Sequence, residues 1–336
     1  MANKIIYKFK SGKPIKLLYF AKVYLKFLIP FCLYRVRAKR ILSSIKKRGD
    51  YDYILQRVAY YNKINDAWTI AKDDKVTRDK HSLFFRGRLS DYKKKFISSV
   101  YFFDQHKVTK WFPQSLRWNY SPGDVYKNFD EPTVVKSRLL DKDNINSVLL
   151  KLDELRHFIF LRDNLRFEEK QDKVIFRGKI RSSRLRTSFM SKFFGNKMVD
   201  CGVVGREEGV EESWFVPKKT IRQHLNYKFI MALEGNDVAS NLKWVMSSNS
   251  IAVMTRPTCE TWFMEGKLKA GVHYIEVKDD FSDLEEKIEY YLTHSDEAEQ
   301  IIANAHKFID QFKDKKREKL IGIMVLQKYF GTSGQL

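Results

Sequence analysis

KFIMALEGNDVASNLKW, residues 228–244, is the stretch on which the reading of the fold turns. KFIMALEG (228–235) reads as a buried strand, and DVASNLKWVMSS (237–248) as the helix behind it. Gly235 closes the strand, and Asn236 and Asp237 are residue types that cap helices. Ser240 and Asn241 then fall in the first helical turn, with Lys243 just beyond it. In open α/β sheets, ligands bind beyond the carboxyl ends of the strands. A helix N-terminus in that place presents free N–H groups to a phosphate. An ordinary capped helix in a Rossmann-like layer would carry the same pattern, and the stretch is neither a GxGxxG nor a P-loop.

Outward from this stretch the pattern repeats. KVIFRG (173–178) reads as a strand, SRLRTSFMSKFF (183–194) as a basic helix and KMVDCGVV (197–204) as a strand. SIAVMTRP (250–257) and HYIEV (273–277) are further strands, followed by helices over 281–294 and 295–312. Ser282 and Glu285 have the spacing of a capping box, and Ser295 can cap the next helix. Alternation of this kind implies βαβ units and a parallel sheet. From Lys173 to Lys197 the chain carries eight Lys or Arg and no acid. Within that run Arg177 ends a strand, and Gly178 beside it permits close approach of a ligand to the backbone. Arginine suits bidentate phosphate recognition, and a solvated basic face is the plainer alternative.

Upstream the signals are weaker. Residues 40–95 are charged and read as largely helical. SSVYFF (98–103), TVVKS (133–137) and HFIFL (157–161) read as strands, and residues 162–173 as a surface crossing between domains. Asp104 follows SSVYFF; an aspartate there is a turn or cap residue, or a proton acceptor, and His106 could play the latter part. Asp141–Lys142–Asp143 and Asp50–Tyr51–Asp52 have the form of a divalent-ion site, but with 41 acidic residues such triplets arise by chance. The seven histidines show no HExxH or comparable spacing, so no metal site is expected.

A chain of 336 residues with 43% hydrophobic content is large enough for two cores. Its net charge of +22 is uneven: residues 1–50 hold 14 Lys or Arg against Asp50 alone, a local +13. Such a field attracts polyanions, acidic lipid surfaces and phosphorylated substrates. Three cysteines (Cys32, Cys201, Cys259) without CxxC spacing suit a reducing compartment. Residues 17–34 are apolar, but Lys22 and Lys26 interrupt them and Pro30 would break a helix. They read either as a basic amphipathic segment on an anionic membrane face or as a first helix buried on one side.

Four tracts together resemble glycosyltransferase family 90: VIFRG (174–178), residues 228–244, NSIAVMT (249–255) and GVHYIEVKDDFSDLEEKIEY (271–290). Residues 132–158 resemble its bacterial lipopolysaccharide-core branch in particular. The resemblance implies an α/β fold of GT-B type, two Rossmann-like domains facing across a cleft, with the last helix returning to the amino-terminal domain. It implies an acceptor domain over 1–168, a donor domain over 169–312 and a carboxyl-terminal helix and tail over 313–336. It implies inversion at the anomeric carbon, a UDP-hexose donor (glucose or galactose) and no required cofactor. Arg177 matches the arginine of the family's strand-end F-R-G, and Arg186 a second basic position shortly after it. Gly178, Gly235, Ser240, Asn241 and Lys243 complete the expected donor site. Asp104 follows a β-rich strand and shortly precedes a Lys-Trp pair (Lys110–Trp111), as the family's catalytic aspartate does, which makes it the best candidate base. One departure is Asn241, where eukaryotic members often have arginine, so diphosphate contacts fall more on Arg177, Arg186, Ser240 and helix N–H groups.

The expected protein is thus a cytoplasmic enzyme peripheral to the inner membrane. Its partners would be the UDP-hexose, a phosphorylated lipopolysaccharide core acceptor and anionic lipid, without nucleic acid. The alternatives are a metal-dependent GT-A transferase using Asp141 and Asp143, and a non-enzymatic basic protein binding nucleic acid or membrane.

Overall fold

The computed structural model describes residues 16–27, 29–78, 82–94, 99–124, 127–181 and 183–336. They divide into two compact units. The first holds Lys16–Leu155, Cys259–Phe263 and Phe312–Leu336; the second holds Arg156–Thr258 and Met264–Gln311.

The first unit begins with α1 (Lys16–Phe27), α2 (Phe31–Ile45) and α3 (Tyr51–Tyr61). Pro30 stands at the N-cap of α2, so the proline does separate two helices. The expected helical character of 40–95 stops at Tyr61: β1 (Lys75–Arg78) and β2 (Leu83–Arg88) form an antiparallel pair. In β2, Leu83, Phe85 and Gly87 are buried while the residues between them are half-exposed, which is the period of a strand. The strand expected at 98–103 is instead the start of a helix, α4 (Ser99–Thr109); residue 98 lies outside the described residues. Tyr101, Asp104, Gln105 and Val108 are all buried, and their i, i+3, i+4, i+7 spacing overrides the β-propensity of the aromatics. Next come β3 (Arg117–Ser121), β4 (Thr133–Val135), β5 (Ser137–Leu139), β6 (Ser147–Leu149) and the short α5 (Glu154–His157). One sheet runs β1-β2-β3-β4-β6, antiparallel up to β3 and parallel from β3 to β6. HFIFL contains no strand, because His157 ends α5 and residues 158–161 pair with no ladder.

In the second unit residues 162–173 are mostly exposed, as expected of a crossing, but Lys170 and Asp163 form an enclosed ion pair at 2.7 Å. Then follow β7 (Gln171–Gly178), α6 (Arg184–Phe193), β8 (Val199–Val203), α7 (Ile221–His224), β9 (Tyr227–Met231), α8 (Leu242–Val245) and β10 (Ile251–Met254). The chain next supplies β11 (Cys259–Thr261) to the first unit, where it pairs antiparallel with β5. Returning, it forms β12 (Ile275–Glu276), α9 (Leu284–Thr293) and α10 (Ser295–Asp310). The sheet order is β12-β10-β9-β7-β8, with every pair parallel. Val174, Phe176, Phe229 and Val253 from its strands share a core with Phe189 of α6, Leu284 of α9 and Ile301 of α10. Burying side chains of this size contributes about 1.5–3 kcal/mol each. The last helix, α11 (Lys315–Thr332), belongs to the first unit and packs on α3 and α4.

Three local expectations need correction. The helix expected over 237–248 shrinks to the single turn α8, since the chain after Gly235 bends back with the Gly235 N–H donating to the Asp237 carbonyl at 2.9 Å. The Ser282 capping box does not form: Asp283 takes the N-cap position of α9. Ser295 is likewise already the first residue of α10, with His294 at the N-cap.

Gly202 in β8 is fitted tightly, for a Cβ there would lie 2.1 Å from Val216 Cγ2. Gly202→Ala is expected to cost about 1–3 kcal/mol through overpacking, measured as a lower denaturant midpoint.

Candidate functional site

The carboxyl edge of the parallel sheet in the second unit collects several of the expected donor residues. Ser183 caps α6 by accepting from the Arg186 N–H at 3.3 Å, so a ten-residue helix starts directly behind β7. Arg186 lies in that first turn, and its guanidinium reaches the end of β9. It donates to the Leu233 carbonyl from Nη2 at 2.7 Å, to the Glu234 carbonyl from Nε at 3.1 Å and to the Lys179 carbonyl from Nη1 at 3.0 Å. Gly235 makes room for it: a Cβ there would stand 3.0 Å from Arg186 Nη2. Arg186 and Gly235 thus meet at the ends of adjacent parallel strands, where open α/β sheets take ligands. Asn241 is close to the same edge, its Nδ2 donating to the Met231 carbonyl at 2.9 Å, and Ser240 is half-buried beside it. The helix start best formed to receive an anion is that of α6, behind β7, whereas the sequence pattern pointed to the helix behind β9.

Three expected donor residues are engaged elsewhere. Arg177 turns back along the sheet: Nη1 donates to the Phe176 carbonyl at 2.8 Å and to the Asp200 carbonyl at 2.7 Å, while Nη2 pairs with the Asp200 carboxylate. The Tyr227 hydroxyl donates to the other Asp200 oxygen. Burial opposes the charge on Asp200, yet the hydrogen bonds from Tyr227 and Arg177 hold its carboxyl below the ordinary value. The space beside Gly178 is filled from within the strand, since a Cβ would lie 2.8 Å from Cζ of Phe176. Lys243 is enclosed in α8 and ion-paired with Glu265, itself enclosed.

In the first unit, Asp104 sits on α4 with its side chain fully enclosed. Oδ1 accepts from the Tyr19 hydroxyl at 2.6 Å and from the Lys107 ammonium at 2.6 Å. Oδ2 accepts from the backbone N–H of Glu154 at 2.9 Å, at the start of α5. Lys107 also bonds Glu154 Oε2 at 3.0 Å, so the ammonium bridges two carboxylates. Burial pushes the Asp104 carboxyl up to about 6; Lys107 opposes the rise and Glu154 adds to it. His106, the other candidate base, is pushed down to about 4, chiefly by burial and further by Lys110. Its ring lies edge-on to Phe31 at 5.4 Å and stacks on Phe102 at 6.3 Å.

The acidic triplets are local turns and pairs. Asp141 Oδ1 accepts from the Asp143 N–H at 3.1 Å, and Oδ2 from Asn128 at 2.7 Å. Asp50 pairs with Arg48 at 2.6 Å, and Asp52 lies in the first turn of α3. Among the described residues, no group of three or more His, Cys, Asp or Glu could hold a metal ion.

Sequence reading missed the partners of these groups. Lys107 lies one helical turn from Asp104 and would have been found had 98–103 been read as helix. Tyr19, Glu154, Asp200 and Tyr227 come from distant parts of the chain, and no local pattern marks them.

Comparison with known proteins bears on the same segments. The sequence model of glycosyl transferase family 90 matches residues 144–329, which contain all the donor-edge residues above. The chain is also similar to O-glucosyltransferase LpsA of Dichelobacter nodosus, with 39% identity over 232 residues, 69% of this chain and 72% of that protein. A match of this extent, over a parallel α/β sheet with a basic carboxyl edge, places the chain in glycosyl transferase family 90.

Proposed function

We propose that the chain is an inverting, GT-B-type transferase moving a hexose from a UDP-sugar to a lipopolysaccharide inner-core acceptor in the cytoplasm. The name of the O-glucosyltransferase relative favours glucose over galactose. The observation that carries the reading is the Asp104 carboxylate, enclosed, oriented by three donors and raised to about 6. A general base works best with a pKa near the operating pH. Asp104 takes the proton of the acceptor hydroxyl, whose oxygen attacks the anomeric carbon from the face opposite the UDP. The glycosidic electron pair leaves on the β-phosphate oxygen. Arg186 and the N–H groups at the start of α6 offset the charge that develops there. Arg177 contributes at one remove, since its guanidinium is already tied to Asp200.

The test is a screen of UDP-sugars, with and without purified core oligosaccharide and with and without a strong chelator. Transfer from UDP-glucose that survives chelation is expected. Loss of all transfer on chelation would favour the metal-dependent alternative, and absence of donor selectivity would favour a simple polyanion binder. In the same assay Arg186→Ala is expected to lower kcat/KM for the donor about tenfold, the loss of roughly 1.4 kcal/mol of charge-assisted hydrogen bonding to the leaving group.

A further inference from the structure

We propose that the outer face of α1 and the start of α2 dock on an anionic lipid bilayer, and that docking draws Tyr19 away from Asp104. The proposal rests on the reading of Asp104 as the base.

Among its described side chains, α1 carries apolar residues both toward the core and toward solvent. Phe20 and Val23 face inward: Val23 is buried, and the Phe20 ring meets Phe103 of α4 edge-on at 5.8 Å. On the other side Leu17, Leu18 and Leu25 are 77%, 64% and 68% exposed. The run continues past Pro30 with Leu33 at 51% and Val36 at 76% exposure. A helix resting on a protein core turns polar residues to water. Here leucine and valine stand in that place, and the exposed cations Lys16, Arg37 and Arg40 lie on the same two helices.

Charge identifies the occupant. Residues 1–50 carry +13, which repels a second copy of the chain and suits a negatively charged surface. Among the described residues no helix is long and apolar enough to cross a membrane. Exposed leucines beside cations on helices too short to span are the composition of a segment that lies in the lipid interface.

The inner face of the same helix closes the base. The Tyr19 hydroxyl donates to Asp104 Oδ1 at 2.6 Å, and the Lys107 ammonium lies 5.0 Å from the Tyr19 ring centroid. A hydroxyl offering its proton to this carboxylate is the arrangement an acceptor alcohol must adopt to be deprotonated. Tyr19 therefore holds the acceptor's place, and an acceptor enters only when α1 shifts. Lipid that takes up Leu17, Leu18 and Leu25 supplies a reason for the shift at the surface where a lipid-linked acceptor resides.

The experiment uses the full chain with vesicles of phosphatidylcholine, with or without phosphatidylglycerol. Wild type is expected to sediment with the anionic vesicles, and L18E/L25E to bind them about tenfold or more weakly. With a lipid-free oligosaccharide acceptor, anionic vesicles are expected to raise wild-type turnover. Tyr19→Phe, which cannot donate to Asp104, should turn over faster than wild type without vesicles and respond to them less. Failure of wild type to bind, equal binding by L18E/L25E, or self-association through this face without lipid would overturn the docking surface. Equal lipid-free turnover of wild type and Tyr19→Phe would overturn the gate. Sedimentation without transfer by any form would uphold docking and instead overturn the transferase reading of Asp104.

Discussion

Asp104→Asn is expected to lower the rate of sugar transfer by about 10²- to 10⁴-fold, the range for loss of a positioned general base. Asparagine keeps the shape of the side chain and can still accept from the Glu154 N–H, which Asp104 now does at 2.9 Å. What it cannot do is take a proton. Circular dichroism should keep its wild-type form while kcat collapses and donor KM stays near wild type, and the thermal midpoint should fall, because the amide NH2 that then faces the Lys107 ammonium cannot accept from it. A variant that folds normally and turns over near the wild-type rate would remove Asp104 from the mechanism. The pH profile gives a second reading of the same group. Burial raises its carboxyl to about 6, and the base must be ionised to act, so activity is expected to rise with pH and level off above about 6. Below that value the carboxyl is protonated and the rate should fall about tenfold per unit. An acid limb near the ordinary carboxylate value would mean that the working group is solvated, unlike the enclosed Asp104.

Glu318→Ala is expected to destabilise the first unit by about 3–5 kcal/mol, the cost of leaving a buried charge without its partner. Glu318 on α11 accepts from Arg57 Nη2 at 3.0 Å, from Trp262 Nε1 at 2.6 Å and from Lys151 at 3.4 Å. Arg57 is only 2% exposed, with its guanidinium carbon 4.8 Å from the Phe312 ring centroid and 5.0 Å from that of Tyr61. Alanine strands that guanidinium among aromatic rings and removes the acceptor of the indole N–H. Chemical denaturation followed by tryptophan fluorescence should show the loss, and Glu318→Gln, which retains an acceptor, should lie between the two. A change under 1 kcal/mol for the alanine variant would mean that water replaces the carboxylate and that the cluster is less closed than its burial suggests.

The second unit was readable from sequence because its signal is local. Each strand of the parallel sheet lies on a short apolar run. KMVDCGVV, SIAVMTRP and HYIEV contain the strands found there, and KVIFRG and KFIMALEG overlap strands that begin one or two residues earlier. The failures occur where tertiary contacts outweigh local preference. SVYFF has strand-forming residues but lies on a helix, because Phe103 meets Phe20 and Tyr24 while Asp104 bonds Tyr19, 85 positions away. The helix pattern after Gly235 is cut short by a turn that Asn241 pins to β9. For the site, residue type was informative and partnership was not. An arginine at a strand end announces an anion, but that the anion is Asp200, on the adjacent strand, follows only from register. Lys243 is the same case, since Glu265 lies 22 residues further on.

The way the chain is shared between the units has a consequence for its synthesis and its divergence. Cys259–Phe263 and Phe312–Leu336 belong to the first unit, although nearly everything around them in sequence belongs to the second. The second unit needs residues only as far as Gln311, whereas the first is incomplete until α11 has left the ribosome. The half of the protein translated first is therefore the last to finish folding. Recombination meets the same constraint: a crossover near residue 155 would graft a foreign amino-terminal half onto the original β11 and α11. An exchange that brings a new first unit must also carry these two carboxyl-terminal pieces, or repack Arg57 and Arg138 against carboxylates they did not evolve with.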